Sequence, residues 1–277
     1  MTDSPLRVAF LGQRGSYSEE AAVHFFGEDV TTVSCKDFDD IFEAVNNGSV
    51  ERGILPLENS LAGSIHRNYD LLLRHDLSIV GETQIAVAHQ LIALPGVQLG
   101  DVEKVYSHPQ PLAQCERNLN LLLPHAERVS TYDTASSVKM LREENLTHAA
   151  ALASRRAAKI YQMNILRADM HDDPENYTRF VVVARQPITP HGETKTSIVF
   201  AMDNVPGSLF KSLAVFALRD IDLTKIESRP LQGKRWQYFF YIDFIGSVTE
   251  ERCQNALNHL QEIATYFKIL GSYPRGV

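Results

Sequence analysis

The sequence predicts an α/β protein built as two domains, and three observations carry that prediction. Strand-like and helix-like segments alternate through residues 1–187. A short polar stretch with Pro187, Pro190 and Gly192 then breaks the pattern, with 188–195 as the linker. Residues 196–277 resume in the order strand, helix, strand, strand, helix, strand. A chain of 277 residues is long for one core and comfortable for two.

In the first domain, Arg7 to Leu11 is a short apolar run that ends at Gly12. Phe38, Ile41, Phe42 and Val45 recur at helical spacing, with Gly48 placed to end that helix. Ile54 to Leu57 is a further short strand, and Leu77 to Leu91 reads as one long strand-like crossing. Val105-Tyr106, Arg128-Val129 and Ala149 to Leu152 are strands, with helices from about Pro109, Thr134 and Ser154. Phe180 to Val183 is the last strand. Strand–helix units joined by short links imply parallel sheets. The central crossing and the late return strand imply two lobes, about 1–80 with 170–187 and 81–169, linked twice around a cleft. That shape is much like a type II periplasmic binding protein.

In the second domain the strands are Thr196–Met202, Ile221–Glu227, Arg235–Phe244 and Ile269–Tyr273. The helices are Gly207–Arg219 and Val248–Phe267. Cys253, Ala256, Leu257, Leu260, Ile263, Ala264 and Phe267 form the stripe of the second helix, and Ser247 with Glu250 has the spacing of a capping box. The βαββαβ order is ferredoxin-like. The strand containing Tyr238 to Ile245 is apolar on both faces, which calls for cover on both sides and points to an oligomer.

Composition narrows the function. Apolar residues are 44% and charged residues 22%, as in an ordinary globular protein, and no apolar run approaches a membrane span. Met1 to Pro5 has no basic n-region, and three widely spaced cysteines make no disulfide framework, so a cytoplasmic protein is expected. No metal-ligand spacing appears among the histidines and cysteines, so no metal or cofactor is expected. The net charge of −7 argues against nucleic acid and anionic membrane. It is uneven: 17 basic against 25 acidic residues in 1–187 give −8, and 10 against 9 in 188–277 give +1. An anion bound in the first domain must therefore be held by local dipoles and one or two arginines.

Small polar residues mark the strand-to-helix junctions Gly12–Ser16, Glu58–Ser60, Ser107–Pro109, Asp133-Thr134 and Ala153-Ser154. Any one of them suits a helix cap. Together they place several helix N-termini at one sheet edge, where small anions bind. The Gly12-x-x-Gly15 turn is neither a Walker A loop nor a dinucleotide fingerprint, so no nucleotide is expected. Thr178 and Arg179 stand where a polar loop becomes a buried strand, presenting a hydroxyl and a guanidinium. Arg179 is either a carboxylate clamp or the partner of a nearby acid, and His108 before Pro109 is either an acid near pH 7 or structural.

Glu58-Asn59-Ser60 with Gly63, Ser107-His108-Pro109-Gln110 with Gln114, and Thr178-Arg179-Phe180 occur in the order and spacing of prephenate dehydratases, which the chain resembles from about Val8 to Tyr273. Val8 to Ala22 resembles the family's glycine-rich segment, with Gln13 for Pro and Ser16 for Thr; Pro111 replaces a common Ala. The resemblance implies a lyase that converts prephenate to phenylpyruvate, with Thr178 as the catalytic residue. Ser16, Asn59, Ser60, Ser107, Gln114, Arg179 and Phe180 would bind substrate. It also implies that 196–277 is an ACT regulatory domain. There Asn204, Pro206, Gly207, Ser208 and Leu209, with Glu227, Ser228 and Arg229, would hold L-phenylalanine; Ser208 and Phe210 depart from the family's Ala and Val. ACT pairing implies a homodimer or homotetramer, and six residues before Arg7 imply a monofunctional enzyme. The alternatives are an arogenate dehydratase, whose substrate differs by an amino group, or a non-catalytic amino-acid sensor.

Overall fold

A computed structural model describes residues 5–231 and 236–276. The chain divides into two compact units: residues up to Asn68 together with Thr83–Phe180, and Tyr69–Glu82 together with the described residues from Val181 onward.

The chain up to Ala184 forms two sheets. Its elements open with β1 (Arg7–Leu11), α1 (Tyr17–Phe26), β2 (Thr31–Cys35), α2 (Phe38–Asn46), β3 (Arg52–Asn59), the two-residue β4 (Gly63–Ser64), α3 (His66–Arg74) and β5 (Ser78–Ala86). They continue with β6 (Gln90–Ala93), β7 (Lys104–Ser107), α4 (Pro109–Gln114), α5 (Glu116–Leu122), β8 (Glu127–Ser130), α6 (Thr134–Glu143), β9 (Ala149–Ala153), α7 (Arg155–Ile160), β10 (Asn164–Arg167) and β11 (Tyr177–Ala184). One sheet has the order β2-β1-β3-β11-β5 with β4 beside β3; the other has the order β10-β6-β9-β7-β8.

The expected long crossing is two strands. β5 ends at Ala86 in the first sheet and β6 begins at Gln90 in the second, leaving Val87, Ala88 and His89 to span the lobes. The return crossing runs from β10 to β11. The two crossings are laced together: Val87 N–H donates to Asn176 O at 2.7 Å and Met170 N–H to His89 O at 2.7 Å. The second sheet is mixed rather than parallel. β7 pairs parallel with β8 and β9, while β6 runs antiparallel to β9 and to β10. β6 arrives from the other lobe, not through a crossover helix, so the rule that makes helix-linked strands parallel does not bind it.

Helix signals in the sequence were local and strong. Asp37 caps α2 in a full capping box, and the helix buries Ile41, Phe42 and Val45. Ser16 caps α1, Asp133 caps α6 and Ser154 caps α7, each accepting a backbone N–H from the first turn. Pro56 lies inside β3, three residues beyond Gly53, which pairs with Ala9 of β1 in parallel register.

In the second unit β12 (Thr194–Ala201), α8 (Ser208–Ala217), β13 (Leu223–Pro230), β14 (Tyr238–Ile245), α9 (Glu251–Ile263) and β15 (Tyr266–Pro274) form one sheet of order β13-β14-β12-β15. This is the ferredoxin-like arrangement, and all three pairings are antiparallel. Ile198, Phe200, Phe216, Ile242, Phe244, Cys253 and Leu260 are buried in one cluster of its core. The expected start of β14 at Arg235 lies outside the described residues. α9 ends at Ile263, and Phe267 belongs to β15, where its apolar side chain still packs on the same core. Of the expected capping box, the acid half forms: Glu250 Oε1 accepts from Ser247 N–H at 2.7 Å, while Ser247 Oγ accepts from Thr249 N–H instead.

The segment 69–82 packs within this second unit. Tyr241 OH donates to Tyr69 O at 3.1 Å, Lys268 Nζ donates to Leu72 O and His75 O, and Lys195 pairs with Glu82 at 2.7 Å. Gly271 of β15 lies against the backbone of β5: a Cβ there would stand 2.1 Å from Ile79 O.

Candidate active site

The first four residues of β11 alternate in exposure, so Thr178 and Phe180 face a cavity while Arg179 points to the other side of the strand. The hydroxyl and guanidinium that sit side by side in the sequence are therefore not side by side in space, and Arg179 does not line the cavity.

Asn59, at the end of β3, holds Thr178. Its amide oxygen accepts the N–H groups of Leu61 (3.1 Å) and Ala62 (2.9 Å), a local turn that leads the chain into β4. Its amide nitrogen donates to Asn176 Oδ1 (2.8 Å), Tyr177 O (3.1 Å) and Thr178 Oγ1 (3.0 Å). Ser60 secures the same junction through the backbone. Its hydroxyl donates to Glu175 O at 2.6 Å and accepts from Tyr177 N–H at 2.9 Å, and its own N–H donates to Tyr177 O. Ser60 thus fixes the strand that carries Thr178 and does not line the cavity.

From the other lobe, Gln114 ends α4 and its Oε1 accepts from Asn176 Nδ2 at 3.1 Å. Gln114 Oε1 also shares a hydrogen bond with His89 Nε2 at 3.0 Å, and His89 Nδ1 meets Tyr17 OH at 3.1 Å. Burial pushes the His89 imidazole down to about 4 against the opposing pull of the Gln114 bond, so it is neutral near pH 7. Burial, with Glu20 and Cys115 nearby, pushes the Tyr17 phenol up, so it keeps its proton. Ser107, by contrast, is fully buried and donates to Leu152 O at 2.8 Å, tying β7 to β9 away from the cavity.

The cavity measures about 460 Å3. Ser16, Asn59, Gln114, Thr178 and Phe180 line it, together with Tyr17, His89, His108 and the 62–65 turn. Among the described residues no lysine or arginine lines it, and Asp133 is the one carboxylate that does. Anion affinity must come from dipoles. The N-termini of α1 and α6, capped by Ser16 and Asp133, open on the cavity. His108 caps α4 by accepting Gln110 N–H at 3.3 Å, which engages its Nδ1 structurally. Among the described residues no three His, Cys, Asp or Glu side chains gather as a metal site.

Sequence reasoning missed Tyr17, His89 and Asn176. Asn176 opens the run that carries Thr178, but the sequence gives it no role, and His89 lies inside a stretch that reads as plain strand.

In the second unit, Asn204, Gly207, Ser208 and Leu209 line a pocket of about 230 Å3 with Phe210, Trp236 and Tyr238. Pro206 is not among its lining residues. Gly207, with φ +83°, precedes α8, and Ser208 Oγ donates to Asp203 O and Val205 O. Glu227, Ser228 and Arg229 lie on β13 and do not reach this pocket. Arg229 pairs instead with Asp70 of α3 at 2.8 Å, and Lys225 sits over the Tyr69 ring.

The family model described as prephenate dehydratase matches residues 8–188. Arogenate dehydratase/prephenate dehydratase 2 of Arabidopsis thaliana is 53% identical over 98% of this chain and 73% of its own length. The crystal structure of a prephenate dehydratase from Arthrobacter aurescens in complex with L-Phe superposes with a TM-score of 0.90 at 33% identity, covering 98% of this chain and 90% of that one. A solved chain named GqqA and described as a quorum-quenching acylase is also similar, with a TM-score of 0.89 at 33% identity over 97% of each chain.

Proposed function

Because the chain belongs to the prephenate dehydratase family, we propose that it is a carbon–oxygen lyase that converts prephenate to phenylpyruvate, CO2 and water, with the cavity around Thr178 as its active site. One observation carries the assignment of the catalytic group. Thr178 Oγ1 already accepts a hydrogen bond from Asn59, so its own proton is available to the cavity. As the ring carboxylate leaves as CO2, its electron pair passes through the ring and expels the hydroxyl opposite, which needs a donor as negative charge builds on it. Thr178 supplies that hydrogen bond. A threonine hydroxyl is too weak an acid to be the final proton source, so its role is that of a positioned donor.

The absence of a cation from the cavity wall fits the chemistry. The departing carboxylate becomes neutral, and a tight ion pair would stabilise the substrate more than the transition state. Helix N-termini hold carboxylates more loosely.

The test is the ultraviolet assay for phenylpyruvate with prephenate as substrate, repeated with arogenate. Arogenate carries an ammonium in place of the keto oxygen, and the Asp133 carboxylate on the cavity wall favours it as a second substrate. Turnover of neither compound rejects the proposed function.

We also infer that residues 196–277 form an ACT domain through which L-phenylalanine inhibits. Among the described residues, the pocket lined by Asn204, Gly207, Ser208 and Leu209 does not include 227–229, which lie on β13. The L-phenylalanine site is therefore completed in a homodimer or homotetramer. Light scattering that shows a monomer still inhibited by L-phenylalanine rejects this assembly.

A further inference from the structure

The hydrogen bonds behind Thr178 have a forced direction, and two backbone groups force it. The N–H groups of Leu61 and Ala62 can only donate, so the Asn59 side-chain atom facing them is oxygen. Its amide nitrogen then faces Asn176, so the Asn176 atom it meets is oxygen. The Asn176 nitrogen therefore faces Gln114, whose facing atom is oxygen in turn. That oxygen can only accept, so His89 Nε2, 3.0 Å away, carries the proton. A neutral His89 protonated at Nε2 has a bare Nδ1 that faces the Tyr17 hydroxyl at 3.1 Å, and Ala88 O, 3.0 Å from the same hydroxyl, competes for its one proton. None of the three amides, Asn59, Asn176 or Gln114, can be flipped without placing two donors or two acceptors face to face.

From this polarity we infer that His89, oriented by Tyr17, is a positioning residue for the reaction: its Nε2–H fixes the Gln114 and Asn176 amides and, through Asn59, turns the Thr178 proton into the cavity. The same bonds leave the Gln114 amide nitrogen as its remaining donor, on a residue that lines the cavity. His89 and Asn176 are each 1% exposed, so water does not replace either partner readily. His89 lies on the crossing between the lobes, and its carbonyl accepts Met170 N–H from the other crossing, so the ring is carried where both connections meet. This inference rests on the proposed dehydratase activity.

Two nearly isosteric substitutions separate positioning from packing. In His89→Gln the side-chain nitrogen falls near Nε2 and still donates to Gln114. In His89→Asn the shorter side chain reaches only the Nδ1 position, and the bond to Gln114 is lost. We expect His89→Gln to retain kcat within about threefold, and His89→Asn to lose about tenfold or more in kcat with KM little changed, since tenfold is about 1.4 kcal/mol of misplaced transition-state contact. Tyr17→Phe removes the hydroxyl that lies against Nδ1 and Ala88 O and is expected to lower kcat by less than His89→Asn. Both His89 variants are compared only after circular dichroism and thermal unfolding show them folded; if His89→Asn fails to fold, Asn176→Asp, which puts an oxygen where Gln114 Oε1 needs a donor, must show the same loss in kcat. Equal kcat for the Gln and Asn variants, or a loss confined to KM, overturns the inference. Failure of the wild-type protein to turn over prephenate or arogenate is a different result and overturns the functional proposal instead.

Discussion

Replacing Thr178 by Val removes one oxygen and keeps the shape, and the structure gives separate magnitudes for stability and rate. Asn59 Nδ2 has two hydrogens and three acceptors, at 2.8, 3.0 and 3.1 Å. Without the Thr178 oxygen the two hydrogens still have Asn176 Oδ1 and Tyr177 O, so no buried donor is orphaned. The expected stability cost is that of one ordinary hydrogen bond, about 0.5–1.5 kcal/mol. The rate loses a positioned donor, typically on the order of 10²-fold or more, and 10²-fold is about 2.7 kcal/mol of barrier. Thr178→Ser keeps the hydroxyl and should stay within about tenfold of wild type, since only the rotamer restriction of the branched side chain is lost. The assay is phenylpyruvate formation from prephenate at saturating substrate, with urea unfolding run on the same preparations. If Thr178→Val keeps more than about a tenth of wild-type kcat, where a positioned donor should supply about 10²-fold, the donor role is wrong.

Two further perturbations test other parts of the fold. Gly271→Ala places a methyl group 2.1 Å from Ile79 O, a backbone atom that cannot swing away, so β15 and β5 must separate. A loss of at least about 2 kcal/mol in the urea midpoint analysis is expected, and a near-neutral result would refute the close approach. His89 is held near 4 in the fold against 6.5 when exposed, so between those values the unfolded chain binds the extra proton. Stability should therefore rise with pH from about 4 to 6.5, and His89→Gln should flatten that part of the stability–pH curve; an unchanged slope in the variant would contradict the neutral, buried imidazole.

Much of the architecture was legible because its signals are local. The apolar spacing of α2, the caps at Ser16, Asp133 and Ser154, and the doubly apolar β14 each sit within a few residues of the element they specify. β2 and β10 were not legible: they are short and half-exposed, so neither shows an apolar alternation. α3 escaped because its mean hydropathy is low. Thr178 and Asn59 were found as candidates, but their contact spans 119 positions and no periodicity encodes it. Arg179 was drawn into the site by adjacency in sequence, and the two-residue repeat of a strand removes it from the cavity wall. His89 depends on Gln114 and Tyr17, 25 and 72 positions away, and only the crossing of the lobes brings them together.

A binding wall without cations has a kinetic consequence. Residues 1–187 carry a net charge of −8, and the cavity offers Asp133 but no lysine or arginine to offset it. A doubly negative substrate therefore approaches against the long-range field and is captured only at short range, by helix ends whose reach is about one turn. Added salt screens the repulsion, with a Debye length falling from about 30 Å at 0.01 M to about 8 Å at 0.15 M, while leaving those short contacts largely intact. For prephenate, kcat/KM should then rise as an inert salt is added from low ionic strength, the reverse of the behaviour of an enzyme that draws anions to an arginine-lined mouth. Arogenate, with one negative charge less, should respond more weakly, and a fall in kcat/KM with salt for either substrate would mean that cations outside the cavity guide the encounter.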